Sequence, residues 1–372
     1  MSGQAARWPA AESSPTARSR ELLLDGRRIA DDTDCYVIAE VGHNHQGDLE
    51  TARQLLQRAK ECGADAVKLQ KRSNRTLYTA AMYERPYEHR NSFGRTYGEH
   101  REFLEFGANE YAELQRLARR LGLTFFATAF DVASADFLAS LDMPAYKVAS
   151  GDLRNLPLLK HIAQFQKPVV ISTGAGALED VDRAVETILR INSRLAILQC
   201  TAAYPTDPED MHLRVIETFR GRYPQQVIGL SDHYNGISMA LAGYLLGARI
   251  VEKHFTLNHA WQGTDHALSL EPVGMKKMVR DLRNVRRALG PGTKQVLPAE
   301  RSASIKMGKK LVAAHALPAG HVLGEADLAI KSPGDGLQPT ELDTIIGRVL
   351  LRPVAPDDDI TLDLLARPMP SV

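Results

Sequence analysis

The segment "VIGLSDHYNGISMALAGYLLGARIVEKHF", residues 227–255, contains the pattern that decides the fold. Its first apolar run, 227–230, leads to His233, and an Ala- and Leu-rich stretch of helical length follows. A second apolar run, 249–254, also ends in a histidine, His254. Short, nearly continuous apolar strands separated by helices are typical of a parallel sheet covered by helices. The segment therefore predicts one unit of an α/β fold.

The same pattern recurs along most of the chain. Eight apolar, β-branched runs are predicted as strands: 36–41, 66–70, 124–128, 145–149, 168–172, 195–200, 227–230 and 249–254. Eight strand–helix units in about 220 residues predict a (β/α)8 TIM barrel. The alternative is an open, doubly wound sheet. No G-x-G-x-x-G motif follows the first strand, which counts against the dinucleotide-binding form of that sheet.

The segments around the barrel differ in composition. Residues 1–21, rich in Ala, Ser, Pro and Arg, are predicted to be a flexible leader before a barrel domain at 22–290. Within 22–36, Asp25-Gly26 lies between short apolar stretches and predicts a β-hairpin.

Two further segments interrupt or follow the repeat. Residues 71–109 form a long loop dense in Tyr, His and Arg, which we expect to cover the functional face. A linker at 291–309 leads to 310–372, where short apolar runs alternate with Pro and Gly. This last segment is predicted to be a small, turn-rich second domain.

Composition excludes several classes of protein. The chain has 372 residues, 44% of them apolar, and a formal net charge of +1 from 46 basic and 45 acidic side chains. That balance predicts no binding of nucleic acid or membrane through charge. The three cysteines are widely spaced in or beside apolar segments, so buried free thiols in a cytoplasmic protein are expected.

Polar side chains follow the predicted strands. In a barrel the carboxyl ends of all strands meet at one face, which carries the chemistry. Lys68 and Lys147 lie within otherwise apolar strands, and a buried ammonium group requires a nearby anion. Hydroxyl donors suited to phosphate oxygens complete the set: Thr128, Ser150, Ser172 and Ser231. These residues predict a small substrate that carries a phosphate and a carboxylate.

His233 and His254 follow adjacent predicted strands. Taken alone, each is best explained as an ordinary, partly buried histidine. As a pair at neighbouring strand ends they predict a metal site, because two imidazoles with open positions suit Zn, Mn or Fe-type ions. From the residues alone both interpretations remain open.

Seven ordered segments and the tail resemble the sialic acid synthase family. The segments are "IAEVGHNHQGD" (38–48), "DAVKLQ" (65–70), "AYKVASGD" (145–152), "PVVISTG" (168–174), "QCTAAYPT" (199–206), "IGLSDH" (228–233) and "EKHFT" (252–256). The tail "KSPGDGLQPTELDTIIGRVL" (331–350) is similar to the antifreeze-like, β-rich SAF domain that ends these enzymes. The resemblance implies condensation of phosphoenolpyruvate with an N-acylated aldose, such as N-acetylmannosamine, to a nonulosonic acid and phosphate.

The resemblance also implies roles for individual residues. The implied catalytic residues are Glu40, Lys68, Lys147 and Asp152. Phosphoenolpyruvate is expected to contact Lys68, Thr128, Lys147, Ser150, Ser172 and Ser231, and the sugar to contact Asn44, Gln70, Asp152, Tyr204 and Asp265. His233 and His254 match the ligands of a divalent metal ion, Mn²⁺ first, with Mg²⁺, Co²⁺ or Zn²⁺ as alternatives. A domain-swapped homodimer is implied as well.

Three positions depart from the family pattern. Asp152 stands where sugar-binding members have Glu, Ala202 where some have Asn, and Ser332 where the tail has an arginine that reaches the N-acyl group. The acceptor sugar is therefore left open. The alternatives are a different or phosphorylated acceptor, an aldolase-type reaction, or a homologue that binds ligand without turnover.

Overall fold

The computed structural model describes residues 20–366. Two compact units divide the chain, one ending at Leu289 and the other beginning at Gly290. The predicted leader lies almost entirely outside the described residues, as do the last residues of the predicted second domain.

An antiparallel hairpin precedes the barrel. Its strands are β1 (Glu21–Leu24) and β2 (Arg27–Ala30). Asp25 and Gly26 join them with φ angles of 50° and 75°, the positive values that a tight type I′ turn requires. The predicted hairpin is confirmed.

Eight parallel strands close into a barrel. They are β3 (Tyr36–Gly42), β4 (Ala66–Lys71), β5 (Thr124–Ala129), β6 (Tyr146–Val148), β7 (Val169–Ser172), β8 (Leu195–Cys200), β9 (Val227–Asp232) and β10 (Ile250–His254). Each strand pairs with the next, and β10 pairs with β3, with His254 opposite Glu40. This closure confirms the predicted (β/α)8 barrel over the open sheet.

Helices alternate with the strands, and three short ones lie within the 71–109 segment. In chain order they are α1 (Leu49–Glu61), α2 (Asn74–Leu77), α3 (Ala80–Tyr83), α4 (Tyr97–Phe103), α5 (Ala108–Leu121), α6 (Val132–Ser140), α7 (Leu156–Gln164), α8 (Leu178–Leu189), α9 (Val215–Arg222), α10 (Ser238–Leu245) and α11 (Pro272–Ala288). Helix α1 begins where the Asp48 side chain accepts a hydrogen bond from the Thr51 amide. Its buried residues recur at helical spacing: Ala52, Leu55, Leu56 and Ala59. It stops before Gly63, which has a φ of 87°.

The barrel interior changes from apolar to polar along the strands. Alternate residues of a strand face inward, so the interior is built in layers. One layer is apolar and includes Ile38, Ala66, Phe126, Ala145, Val170 and Ile250. Two residues farther along the same strands come Glu40, Lys68, Thr128, Lys147, Ser172 and Glu252, all buried. Leu22, Leu24 and Ile29 of the hairpin pack with the apolar layer, so the polar layer faces the opposite, carboxyl-terminal end.

The long loop predicted at 71–109 contains helices α2, α3 and α4 and the start of α5. Helix α4 begins with a capping box in which Thr96 and Glu99 each satisfy a backbone amide of the other. Within it His100 is fully buried. The capped helix places Arg101 in a defined position beside the barrel.

The second unit is small. It contains α12 (Arg301–Met307), the antiparallel strands β11 (Lys310–Ala313) and β12 (Leu328–Lys331), and α13 (Leu342–Ile345). Its buried core consists of Leu311, Ala313, Leu317, Leu323, Ile345, Leu350, Val354, Ile360 and Leu365.

Within the described part of the chain, no helix is both long and apolar enough to cross a membrane. Cys35, Cys62 and Cys200 are buried free thiols.

Candidate active site

The carboxyl ends of the barrel strands open into a cavity of about 530 Å³. All but two of the sequence-predicted site residues line it: Glu40, Lys68, Gln70, Thr128, Lys147, Ser150, Ser172, Tyr204, Ser231, His233, His254 and Asp265. The two exceptions are Asn44 and Asp152. The structure therefore brings together residues that span more than half of the chain.

Lys68 lies at the base of the cavity and is 3% exposed. Its Nζ is 2.7 Å from Glu40 Oε2 and 3.8 Å from Glu252 Oε2, and it donates a hydrogen bond of 2.6 Å to Thr128 Oγ1. The ammonium group thus has a carboxylate and a hydroxyl in direct contact. The register of the sheet explains this contact, because Glu40 on β3 is opposite Lys68 on β4.

Lys147 forms the second cationic group. Its Nζ donates to Ser172 Oγ at 2.6 Å and to the Val148 carbonyl at 2.9 Å, and lies 3.9 Å from Glu252 Oε1. Burial lowers the pKa of Lys147, and the Glu252 charge opposes this change. A second anion at this point would stabilise the protonated amine.

Glu252 lies between the two lysines and is 6% exposed. Burial raises the pKa of its carboxyl group, but the charges of Lys147 and Lys68 outweigh burial and leave the pKa below its ordinary value. Glu252 is not among the site residues predicted from the sequence. One feature of the sequence could have predicted it. Glu252 comes two residues before His254 in "EKHFT", and residues two apart on a strand have their side chains on the same face, here the inward face of β10.

Ser150 connects the turn after β7 to the cavity. Its Oγ accepts a hydrogen bond of 2.9 Å from the Gly174 amide and donates to Cys200 Sγ at 3.4 Å. A Cβ atom at position 174 would lie 2.8 Å from Ser150 Oγ and 2.9 Å from Ala202 Cβ. Only glycine therefore allows the backbone of the "STGA" turn to approach this closely.

The imidazole rings of His233 and His254 lie 5.4 Å apart at the cavity wall. His233 Nδ1 is 2.9 Å from the Thr201 carbonyl, and because a carbonyl only accepts, Nδ1 carries the proton and Nε2 keeps its lone pair. Burial, and then the neighbouring His254, lower the pKa of His233 to about 4. His254 Nδ1 is 3.7 Å from Asp265 Oδ2.

The imidazole groups of these two histidines are chemically suited to bind a divalent metal ion. A neutral imidazole with a free Nε2 and a second-shell carbonyl on Nδ1 is the usual form of a metal-binding histidine. Among residues 20–366 no group of three or more His, Cys, Asp or Glu side chains is arranged to hold a metal ion. A metal ion bound at this wall would have His233 and His254 as its protein ligands, with the remaining positions open to water or substrate.

The residues predicted to face the sugar differ in their surroundings. Gln70 Nε2 donates to Glu40 Oε1 at 2.8 Å, and Tyr204 is 55% exposed at the cavity mouth. Asn44 Nδ2 donates to the Phe255 carbonyl and to Ser269 Oγ, both at 2.9 Å, so its amide is bound within the protein.

Asp152 accepts a hydrogen bond of 3.1 Å from Asn155, outside the cavity lining. Burial raises the pKa of the Asp152 carboxyl group. The roles predicted for Asn44 and Asp152 stay predictions. Of the two other departures from the family pattern, Ala202 lines the cavity of the barrel, and Ser332, in the second unit, donates a hydrogen bond to the Gly308 carbonyl.

Comparison with known proteins identifies the family. The NeuB family matches residues 55–294 and the SAF domain matches residues 310–366. The chain is 40% identical over 344 residues to N-acetylneuraminate-9-phosphate synthase of Homo sapiens, covering 92% of this chain and 96% of that protein. It is 34% identical over 319 residues to N,N'-diacetyllegionaminic acid synthase of Legionella pneumophila, covering 84% of this chain and 89% of that one.

A solved structure agrees with this result. The N-acetylneuraminic acid (sialic acid) synthetase from Leptospira borgpetersenii, determined in complex with citrate, superposes with a TM-score of 0.67 at 30% identity. The match covers 77% of this chain and 95% of that chain. A shared fold, a sequence match over nearly the whole length and a matching C-terminal domain all lead to one conclusion. The chain belongs to the NeuB family, carries a SAF domain and is an enzyme of the sialic acid synthase type.

Proposed function

We propose that this enzyme condenses phosphoenolpyruvate with the aldehyde group of an N-acylated aldose, N-acetylmannosamine or a related sugar. The products are a nonulosonic acid and inorganic phosphate. In this proposal His233 and His254 bind a divalent metal ion, for which Mn²⁺ is the first candidate. The observation that carries the proposal is the pair of buried lysines, Lys68 and Lys147, at the base of a polar cavity. The names of the relatives, which are synthases of sialic and legionaminic acids, support the same reaction.

The base of the cavity is suited to phosphoenolpyruvate. This substrate carries a phosphate and a carboxylate, and two ammonium groups with four hydroxyls supply charge-assisted hydrogen bonds to both. Lys68 and Lys147 are each 3% exposed or less, so their interaction with the substrate is weakly screened by water. The residues that would contact the substrate are Lys68, Thr128, Lys147, Ser150, Ser172 and Ser231.

The reaction requires one new carbon–carbon bond. C3 of phosphoenolpyruvate attacks the aldehyde carbon, and the aldehyde oxygen becomes a hydroxyl group by gaining a proton. Water adds to the cationic C2 centre and loses one proton. The tetrahedral intermediate then collapses: the C2–O bond to phosphate breaks, the C2 hydroxyl loses its proton to become the ketone oxygen, and inorganic phosphate leaves. A bound divalent ion supplies Lewis-acid polarisation of the aldehyde.

Residues of the chain position and neutralise the reactants. Lys68 and Lys147 offset the negative charge of the phosphate and carboxylate in a preformed arrangement. Glu40 is within hydrogen-bond distance of Gln70 and forms an ion pair with Lys68, so a carboxylate is held between the two substrate regions. We propose that Glu40 accepts the proton of the attacking water.

The test is product formation by the purified enzyme. Phosphoenolpyruvate is incubated with a panel of aldoses in the presence of Mn²⁺ or of a chelator, with phosphate release and product mass as the readouts. We expect release only when an N-acylated aldose and a divalent ion are both present. Release without sugar, or binding of phosphoenolpyruvate without product across the whole panel, would contradict the proposal and favour a non-catalytic homologue.

The assembly is a separate proposal. We propose a domain-swapped homodimer in the cytoplasm, in line with the resemblance and with the small core of the second unit. Light scattering on the full-length protein would give the mass of two chains. A monomer at micromolar concentration would refute this assembly without affecting the proposed reaction.

A further inference from the structure

Strand β3 contains an irregularity directly after Glu40. Glu40 is opposite Lys68 on β4. The next paired residues are Gly42 and Leu69, so β3 advances by two residues while β4 advances by one. This is a β-bulge, in which the extra residue, Val41, interrupts the ladder. Bulges bend a strand and change the direction of nearby side chains, so this one affects how Glu40 is held.

Hydrogen bonds fix the backbone on both sides of the bulge. The Glu40 carbonyl accepts the amide of Phe255, directly after β10, at 2.8 Å. The Val41 carbonyl accepts the Asn44 amide, also at 2.8 Å. The Val41 side chain is fully buried in the apolar core that the strands share with the helices. A backbone held at these points shifts little when the residue at position 42 is enlarged.

Gly42 has a backbone conformation that favours glycine. Its φ angle is 53°, in the left-handed region, where a residue with a Cβ atom is strained. A Cβ atom at this position would lie 3.1 Å from Glu40 Oε1 and 3.1 Å from Gln70 Nε2. These are the two atoms of the 2.8 Å hydrogen bond that Gln70 donates to Glu40. The absence of a side chain at Gly42 thus leaves room for this hydrogen bond.

Both partners of this hydrogen bond are held from their other ends. Gln70 Oε1 accepts a hydrogen bond of 2.8 Å from Arg72 Nη2. Glu40 Oε2 is 2.7 Å from Lys68 Nζ. A carbon atom 3.1 Å from each partner is inside the usual van der Waals separation, so a methyl group here would push the two partners apart.

The two carboxylate oxygens of Glu40 face two parts of the cavity. Oε2 contacts Lys68 at the base, and Oε1 contacts Gln70 in the region predicted for the sugar. The hydrogen bond from Gln70 therefore sets the orientation of the carboxylate between the two reactants. A general base acts only within hydrogen-bond reach of the proton that it accepts, so this orientation matters for the rate.

We propose that Gly42 is a positioning residue, which acts through Gln70 to hold the Glu40 carboxylate where it accepts the proton of the attacking water. The inference rests on the proposed function, and within it on the role of Glu40. Gly42 is not part of the cavity lining, so its effect passes through its neighbours. A misplacement of about 1 Å at a reacting group lowers a rate by about 100-fold.

The test is a double-mutant cycle of Gly42→Ala, Gln70→Ala and the double variant, assayed with Mn²⁺, saturating phosphoenolpyruvate and a saturating aldose. We expect Gly42→Ala to lower kcat by about 10- to 100-fold. The Kd of phosphoenolpyruvate, from calorimetric titration, should change by less than about threefold, because the loss lies in the rate step. In the Gln70→Ala background, which lacks the obstructed amide, Gly42→Ala should lower kcat by less than about threefold.

The matched control for backbone strain is Gly122→Ala. Gly122 also has a positive φ angle, 63°, at the end of α5. A Cβ atom there would lie 3.6 Å from Lys60 Nζ, which is an ordinary contact. We expect this variant to have a lower Tm, as Gly42→Ala does, and an unchanged kcat. The control thus separates strain in the backbone from displacement of the Glu40 carboxylate.

The outcomes separate this inference from the proposed function. No product from the unaltered enzyme with any aldose would refute the proposed function and the role of Gly42 with it. If the unaltered enzyme forms product, an unchanged kcat in Gly42→Ala, or the same loss of kcat with and without Gln70, would refute the role of Gly42 alone. If Gly42→Ala does not fold but the double variant does, the Gln70 amide is the obstacle, as proposed. A double variant that also fails to fold would refute the inference.

Discussion

Replacement of Glu40 by glutamine tests the charge balance at the base of the cavity. Glu40 is 1% exposed, lies 2.7 Å from Lys68 Nζ and accepts a hydrogen bond from Gln70. Removing one partner of a buried ion pair costs about 3–5 kcal/mol. Lys68 retains the Thr128 hydroxyl and Glu252 at 3.8 Å, so we expect Glu40→Gln to lower the free energy of unfolding by about 2–3 kcal/mol, at or below the lower end of that range.

The same substitution should strengthen binding of phosphoenolpyruvate. In the unaltered protein the Glu40 carboxylate forms an ion pair with Lys68 and repels the anionic substrate. With glutamine in its place, Lys68 is available to the substrate. We expect the Kd to fall by about tenfold, which corresponds to about 1.4 kcal/mol, while turnover is lost because the proposed base is absent.

Urea unfolding with and without phosphoenolpyruvate, together with calorimetric titration, measures both effects. Phosphoenolpyruvate should raise the unfolding midpoint more in Glu40→Gln than in the unaltered enzyme, since at a given concentration the stabilisation by a ligand increases with the logarithm of its affinity. The control is Glu50→Gln, a 62% exposed carboxylate whose loss should change stability by less than about 1 kcal/mol. Unchanged stability and unchanged substrate affinity in Glu40→Gln would show that Glu40 and Lys68 are not paired.

Three further predictions concern the metal, the pH dependence of stability and the core. His233→Ala should abolish metal-dependent turnover and lower bound metal by elemental analysis, with little change in Tm; full activity in the presence of chelator would contradict the assignment. Burial, and then Arg101, lower the pKa of His100 to about 4, and its Nδ1 accepts the Phe93 amide. The pKa of a histidine in the unfolded chain is about 6.5, so the free energy of unfolding should fall by an order of 1–3 kcal/mol as the pH decreases from about 6.5 to 4. Urea titrations of His100→Gln should show a weaker pH dependence. If the variant shows the same pH dependence as the unaltered protein, His100 is not its source. Phe126→Ala, at a fully buried position inside the barrel, should cost about 3–5 kcal/mol in urea unfolding, and a loss below about 1 kcal/mol would show that this layer is loosely packed.

The barrel could be predicted because each strand carries its own signal. Runs such as "AVKLQ" are apolar at both faces except where an inward side chain reaches the carboxyl end, and this exception marks Lys68 as a site residue. Strand ends converge in every closed barrel, so Lys68, Lys147, His233 and His254 could be grouped from their positions alone.

Other features depend on packing between distant segments. Arg101 lies beside Arg72 because the capped helix α4 folds against the barrel, and no local pattern encodes that contact. Asn44, whose predicted role in sugar binding stays a prediction, donates to the Phe255 carbonyl and to Ser269 Oγ. A polar side chain in a buried turn satisfies its hydrogen bonds wherever partners are found, and the sequence does not show which partners are near.

The order of strands and helices, and the inward face of each strand, were determined by the sequence itself, because periods of two and 3.6 residues are local properties of the chain. The charge environment was decided by the tertiary structure alone. Closure of β10 on β3 places Glu252 between Lys68 and Lys147, and folding of the 71–109 segment places two arginines at the outer wall without a carboxylate partner among the described residues. Electrostatic interactions depend on distance through space and on burial, and neither quantity can be obtained from spacing along the chain.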